Sequence, residues 1–294
     1  MAKRRPLISF DWAAKNLLRR KANYAILEGF LTTLLGKKIK IKNIADGESS
    51  KSGDSKKYNI LDIFAEESDG SLIIIEIQFT PEIDYFHRML FGSSKALADH
   101  LDEGMPYSKI RKVYSINVVY FDLGMGKDYI YHGTTNFKGL HYNDELELSA
   151  KQKEEFGKLE IKDIYPEFYI LKVDRFNNEV KDKIDEWVYF FKNSDIEPGF
   201  KAPGLKEASE RLKYESLSPE ERRSYDDYVK ARRSSMSSIY TAKLEGKAEG
   251  KAEGLAEGKA EGILQTAKKM KAAGISDSVI LKVTGLSKSE VAKL

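Results

Sequence analysis

Tyr58-Asn59-Ile60-Leu61-Asp62-Ile63-Phe64-Ala65-Glu66-Glu67 runs into Ser68-Asp69-Gly70 and then into Ser71-Leu72-Ile73-Ile74-Ile75-Glu76-Ile77-Gln78-Phe79. Two apolar runs flanking a Gly-containing polar triplet predict a β-hairpin. Each run carries a carboxylate where a core strand would carry another aliphatic. With a three-residue loop, Glu67 falls opposite Ser71 and Asp62 falls opposite Glu76, side chains on one face. The other face is then Leu61, Ile63, Ala65, Ile73, Ile75, Ile77 and Phe79, all hydrocarbon. A two-residue Asp69-Gly70 turn would slip the register by one and set Glu76 among the apolar residues, costing several kcal/mol for a buried charge. The longer loop, with Gly70 in the left-handed conformation, is therefore expected.

Two adjacent carboxylates repel unless a divalent cation or a shared proton resolves the repulsion. The competing reading is a half-exposed hairpin with an acidic outer face. The hairpin alone does not separate the two.

The rest of the chain narrows the class. Its 294 residues, 41% hydrophobic and 32% charged, suit a soluble globular protein with one main domain plus appendages. No apolar run approaches the roughly 18 residues that span a bilayer, and no membrane partner is expected. Met1-Ala2-Lys3-Arg4-Arg5-Pro6 lacks the apolar stretch of a signal peptide, and a cytoplasmic location is the natural expectation. The absence of cysteine excludes disulfides, thiolate metal sites and cysteine nucleophiles. Net charge is +3, but residues 1–42 hold eleven Lys or Arg against Asp11 and Glu28, which leaves +9 there and −6 elsewhere. Such a basic region suits a polyanionic partner, or it is an ordinary solvated face.

In chain order, helices are expected from Asp11 and over about Asn23–Leu35, the latter closed by Gly36, followed by a strand at Ile39–Ile44 and a polar loop over 45–56. After the hairpin, Thr80-Pro81-Glu82 reads as a helix start, with Ile83, Phe86, Leu90, Leu97 and Leu101 as the buried stripe. Arg88 and Lys95, seven apart, share another face. Strands are expected at Val113–Phe121, Tyr129–Phe137, around Ile161 and over Phe168–Val173. Helices follow near Asn178–Phe191, Pro203–Tyr214 and from Ser218.

Residues 246–262 repeat Gly-Lys-Ala-Glu with a period of four. On a helix this turns each small-residue stripe by about 40° per repeat, and each Gly costs close to 1 kcal/mol. A flexible spacer is favoured over a marginal helix ordered by self-association. Short capped helices follow from Ile263, with Ser287-Lys288-Ser289-Glu290 as a capping box. They fit a small dimerisation or docking module as well as a helix-turn-helix. The expected divisions are 1–195, a helical extension at 196–240, the repeat at 241–262 and a tail module at 263–294.

The order helix, strand, acidic hairpin, helix, strand is similar to that of the restriction-endonuclease-like core, a central mixed sheet flanked by helices. Asp62, thirteen intervening residues and Glu76-Ile77-Gln78 resemble a D…(D/E)xK signature with Gln at the Lys position. With Phe10-Asp11, the helix through Gly36, the repeats and the capped tail, the chain resembles the PD-(D/E)XK nuclease-family transposases, or recombination-promoting nucleases. The resemblance implies an α/β fold with a helical C-terminal extension and a metal-dependent DNA endonuclease associated with recombination. It implies Mg²⁺, or Mn²⁺, held by Asp62, Glu76 and the Ile77 carbonyl, with Glu28 as a further acid. Gln78 departs from the pattern, since a neutral amide positions water but adds no charge. Lys95, Arg88 or Lys57 are the candidates to supply a cation, and His87 is read as a packing or phosphate-contact residue. The alternative is a catalytically weak or inactive nucleic-acid-binding or assembly protein on the same fold, with a homo-oligomer formed through the C-terminal tail.

Overall fold

A computed structural model describes residues 7–45, 62–101, 103–157 and 160–294. Two compact units are present, Met1–Tyr225 and Asp226–Leu294.

The first unit opens with helices α1 (Phe10–Asn16) and α2 (Tyr24–Leu35), then strand β1 (Ile41–Ala45) and the hairpin β2 (Ile63–Glu67) and β3 (Leu72–Gln78). Helix α3 (Tyr85–Asp99) leads into β4 (Val113–Val119) and β5 (Ile130–Gly133). Helix α4 (Ala150–Phe156), β6 (Glu167–Lys172), α5 (Lys183–Asn193) and α6 (Leu205–Arg211) complete it. One mixed sheet has the order β1-β2-β3-β4-β6-β5. Its central pairs, β3 with β4 and β4 with β6, are parallel, and the outer pairs are antiparallel.

The hairpin has the register that keeps carboxylates out of the hydrocarbon face. Ile63 pairs with Ile75 and Ala65 with Ile73, which sets Asp62 at the level of Glu76. The Glu67 N–H donates to the Ser71 carbonyl, and Gly70 closes the loop at φ 89°. That positive φ is open to Gly at little cost. The first strand starts at Ile63, and Lys57 and residues 58–61 lie outside the described residues, as does most of the polar loop expected at 45–56.

Both faces of β3 are buried. Leu72 and Ile74 pack with Val113 and Ala96 under α3, while Ile73, Ile75 and Ile77 are equally buried on the opposite face. A parallel central strand covered on both sides explains the nearly unbroken aliphatic run. Phe10, Phe30, Trp187, Phe190 and Phe191 from α1, α2 and α5 meet in an aromatic cluster.

Helix α3 differs from the sequence expectation. It starts at Tyr85, not Pro81, and buries Tyr85, Met89, Ser93 and Ala96, leaving Ile83, Phe86 and Leu90 exposed. The sheet face beneath it carries Ser115 and Asn117, and the Tyr85 hydroxyl donates to Asn117 Oδ1 at 3.2 Å. A hydroxyl and small residues suit that polar surface better than the aliphatic stripe does. Ile161, expected in a strand, lies in a short 3₁₀ turn.

In the second unit the glycine repeat is helical. Helix α7 runs from Pro219 to Ala272 without interruption, so the spacer expectation is corrected. Three residues of every four are good helix formers and no proline interrupts them. Helices α8 (Asp277–Thr284) and α9 (Lys288–Ala292) close a small core of Ala267, Ile280 and Val291, with the Ser287–Glu290 capping box formed.

Candidate metal centre at the open end of the hairpin

Even-numbered residues of β3 turn their backbone groups to β4, as the Leu72 N–H bonded to Lys112 and the Gln78 carbonyl bonded to Tyr120 show. The Ile77 N–H and C=O therefore face the β2 side, where β2 has already ended. Asp62 takes over that edge. Its Oδ2 accepts from the Ile77 N–H at 2.6 Å, so the carboxylate stands where the next strand residue's carbonyl would be. This places Asp62 Oδ2 and the Ile77 carbonyl on one edge, beside Glu76.

Asp62 and Glu76 are buried, at 8% and 6% exposure. Burial pushes the Glu76 carboxyl up from its ordinary 4.5 to about 7, against the pull of Arg88 and with the charge of Asp62 adding to the push. Burial first, and the Glu76 charge second, also push the Tyr85 phenol well up. Glu76 is therefore electrostatically uncomfortable, and a cation beside it would relieve it. Two carboxylates and a backbone carbonyl are hard oxygen donors, the set that Mg²⁺ or Mn²⁺ takes with retained waters. No group of three or more His, Cys, Asp or Glu side chains suited to a metal occurs among the described residues.

The other sequence candidates fall in different places. Gln78 is beside the pair, but its Nε2 donates to the Thr80 carbonyl and to Glu82 Oε1 at 2.7 Å. Arg88 reaches Glu76 Oε2 at 3.1 Å and Glu82 at 3.0 Å, forming a bracket with Gln78. Lys95 pairs with Asp99, seven residues and about 10 Å along α3 from Arg88. Glu28 accepts from the Ile41 N–H at 3.0 Å and pairs with Lys40 at 2.9 Å. Ile41 lies opposite Glu67, roughly 16 Å along the strand from Asp62 at about 3.3 Å per residue. The structure thus gathers Asp62, Glu76, Ile77, Gln78 and Arg88, and sets Glu28 and Lys95 elsewhere.

Three contributors escaped the sequence reading. Lys15, from the last turn of α1, pairs with Asp62 Oδ1 at 3.1 Å, and Arg19 donates to the Asp62 carbonyl at 2.7 Å. Asn117, fully buried beside Glu76 in the β3–β4 pairing, bonds Ser115 and the Tyr169 carbonyl. The two basic residues were visible only as part of a charge run, because their contacts join segments more than forty residues apart. A cavity of about 730 Å³ lined by His132, Phe137, Glu147 and Lys162, among others, includes neither carboxylate.

A hairpin that ends in two buried acids, inside a mixed sheet with helices around it, defines the restriction-endonuclease-like class. The chain belongs to the PD-(D/E)XK nuclease family transposases, whose family model matches residues 8–242. No curated protein and no solved structure matches it. The family carries a nuclease and transposition-associated function, with DNA as the implied substrate and divalent metals in general use. Among the described residues no helix is long and apolar enough to cross a membrane.

Proposed function

We propose that the protein is a Mg²⁺- or Mn²⁺-dependent DNA endonuclease that hydrolyses phosphodiester bonds at the open end of the β2–β3 hairpin. The observation that carries this reading is the buried Asp62 and Glu76 pair beside the Ile77 carbonyl. Asp62, Glu76 and that carbonyl would hold the ion. When bound, such an ion lowers the pKa of its water and neutralises charge on the phosphate. The chain's own contribution is positioning. The Ile77 N–H fixes Asp62 Oδ2, leaving Oδ1 turned to the site. Arg88, itself held by Glu82, orients the Glu76 carboxylate through Oε2. Arg19 pins the Asp62 backbone, and the half-exposed Lys15 supplies positive charge for a DNA backbone next to the acids. The test is plasmid nicking in Mg²⁺. Cleavage should require the metal and be lost in Asp62→Ala and Glu76→Ala, and cleavage unchanged in either variant removes that residue from the mechanism.

A second reading is favoured by one observation, the anchoring of the Gln78 amide on Glu82 and Thr80. It makes the protein a DNA-binding or assembly protein with little chemistry. It predicts salt-sensitive DNA binding and no nicking with any divalent ion.

For the tail we infer self-association. On α7, Met236, Ile239, Tyr240 and Leu244 share one exposed face. In the repeat that follows, each glycine stripe has a Lys row on one edge and a Glu row on the other. A parallel pair about a two-fold axis along the helices sets Lys rows against Glu rows, whereas an antiparallel pair sets like against like. Deleting residues 246–294 should lower the number of chains per particle measured by light scattering, and an unchanged number refutes the inference.

A further inference from the structure

We propose that Lys15 is the catalytic cation of this site, taking from helix α1 the role that Gln78 leaves unfilled in the hairpin. The inference rests on the nuclease reading above and names the group that neutralises the reacting phosphate.

The argument begins with the side chain that stands in the signature position. A lysine at residue 78 would project from β3 next to Glu76. Gln78 instead spends its amide N–H groups on the Thr80 carbonyl and Glu82 Oε1, which face α3. The cations on α3 are committed as well. Both terminal nitrogens of Arg88 lie on carboxylates, one on Glu82 and one on Glu76, and its side chain is three-quarters buried. Moving it to a phosphate would strip Glu76 of its partner. Lys95 sits two turns further on, paired with Asp99.

Lys15 is also paired with a carboxylate, but it differs in exposure and in the element it comes from. Its ammonium is 3.1 Å from Asp62 Oδ1, the oxygen not used by the Ile77 N–H. That is the oxygen through which Asp62 meets the site. The Lys15 side chain is 49% exposed, so its four-carbon stem can swing without breaking the core. The base of the stem is fixed nonetheless. Helix α1 is anchored by Phe10 and Trp12, 0% and 3% exposed, with Trp12 packed edge-on against Tyr225. Arg19 ties the following turn to the Asp62 backbone carbonyl. The carboxylate and the ammonium therefore come from two elements clamped together at that point. Were Asp62 to hold a divalent ion, the like charge of Lys15 would be disfavoured at that carboxylate, and an anionic phosphate would be its partner of opposite sign. The part of Lys15 is to neutralise the charge that builds on the non-bridging phosphate oxygens as water adds and the leaving oxygen departs.

The experiment compares the full-length wild type with Lys15→Met, which keeps the stem without the charge, and Lys15→Arg. Three quantities are read: nicking rate of supercoiled plasmid at saturating Mn²⁺, Mn²⁺ affinity by titration calorimetry, and nicking by Lys15→Met in added ethylammonium. Lys15→Met should nick on the order of 10²–10³-fold more slowly. It should bind Mn²⁺ at least as tightly, because the competing ammonium is gone. Ethylammonium should restore about tenfold or more of the rate, and Lys15→Arg should fall between wild type and Lys15→Met. A Lys15→Met rate within about threefold of wild type overturns the proposal. So does a loss of Mn²⁺ affinity that parallels the loss of rate, since Lys15 would then only position Asp62. A wild type that binds DNA but nicks with no divalent ion overturns the nuclease reading itself, and this inference with it.

Discussion

The two ends of one hairpin carry the same kinds of residue and arrive at different states. At the turn end, Glu66, Glu67 and Asp69 each have an assigned counter-ion. Lys37 bridges Glu67 at 3.0 Å and Asp69 at 3.3 Å, and Lys42 holds Glu66 at 3.0 Å. At the open end, Asp62 and Glu76 share a face and a strand edge. Burial leaves Glu76 pushed up to about 7 even with Arg88 on it. Glu67 is as deeply buried, and burial also raises its pKa, but the hydrogen bond from Lys37 opposes that rise directly. The lesson lies in geometry rather than composition. At the turn end the consecutive Glu66 and Glu67 point to opposite faces, where Lys42 from β1 reaches one and Lys37, after α2, reaches the other together with Asp69. Just before β2 begins at Ile63, the Asp62 side chain takes the Ile77 N–H, and that acid lands beside another acid. Both ends carry ion pairs, Lys15 on Asp62 and Arg88 on Glu76 at the open end, but only there do two buried acids stand side by side.

The basic amino-terminal region divides in the same way. Lys37, Lys40 and Lys42 neutralise Glu67, Glu28 and Glu66 within the fold. Lys15 and Arg19 converge on Asp62. Three of the eleven basic residues in that region thus serve ion pairs within the fold, and two border the candidate centre.

The contrast can be broken at either end. The largest effect is expected for Asp62→Ala, which should slow plasmid cleavage on the order of a thousandfold while costing about 1–3 kcal/mol in urea unfolding, through the lost acceptor of the Ile77 N–H. Cleavage retained in a folded Asp62→Ala would mean that Asp62 serves the fold alone. Next comes a pH dependence. Glu76 binds its proton more tightly folded than unfolded, so that contribution to stability is present at low pH and is lost as pH rises from 4.5 through about 7. In EDTA, Glu76→Gln should match wild type near the bottom of that range and exceed it above the top, by up to about 3 kcal/mol. A gap that does not change with pH would contradict the account.

At the turn end, Lys37→Met should cost stability and leave cleavage untouched. About 1–2 kcal/mol is expected, below the value for a fully buried pair, because Lys37 is more than one-third exposed. A matching loss of cleavage would show the two ends to be coupled. The smallest effect belongs to Lys42→Ala, under about 0.5 kcal/mol by chemical denaturation, since Lys42 is 64% exposed. A larger cost would mean that the β1–β2 pairing depends on that ion pair.

What the sequence discloses here follows the range of the interactions. The hairpin register, the left-handed Gly70 and the juxtaposition of Asp62 with Glu76 are set by alternation and turn chemistry within twenty residues, and all three are legible. Lys15 and Arg19 are not, because nothing local to them signals a carboxylate more than forty residues on. Glu28 and Lys95 look suitable on their own helices, and each is claimed by a nearby partner that spacing alone does not reveal. The stripe on α3 was misread because Ile83, Phe86 and Leu90 outweigh Tyr85 and Ser93 in hydropathy, while the sheet beneath offers Asn117 and Ser115. The repeat was misread for a different reason. Counting the cost of each glycine underestimates the helix formers between them.

The central claim is that the open end of the hairpin holds a divalent ion between Asp62 and Glu76. Titration calorimetry of Mn²⁺ into wild type, Asp62→Asn and Glu76→Gln tests it most directly. The account predicts one ion per chain in the wild type and loss of that binding in both variants. Equal binding in wild type and variants would contradict it.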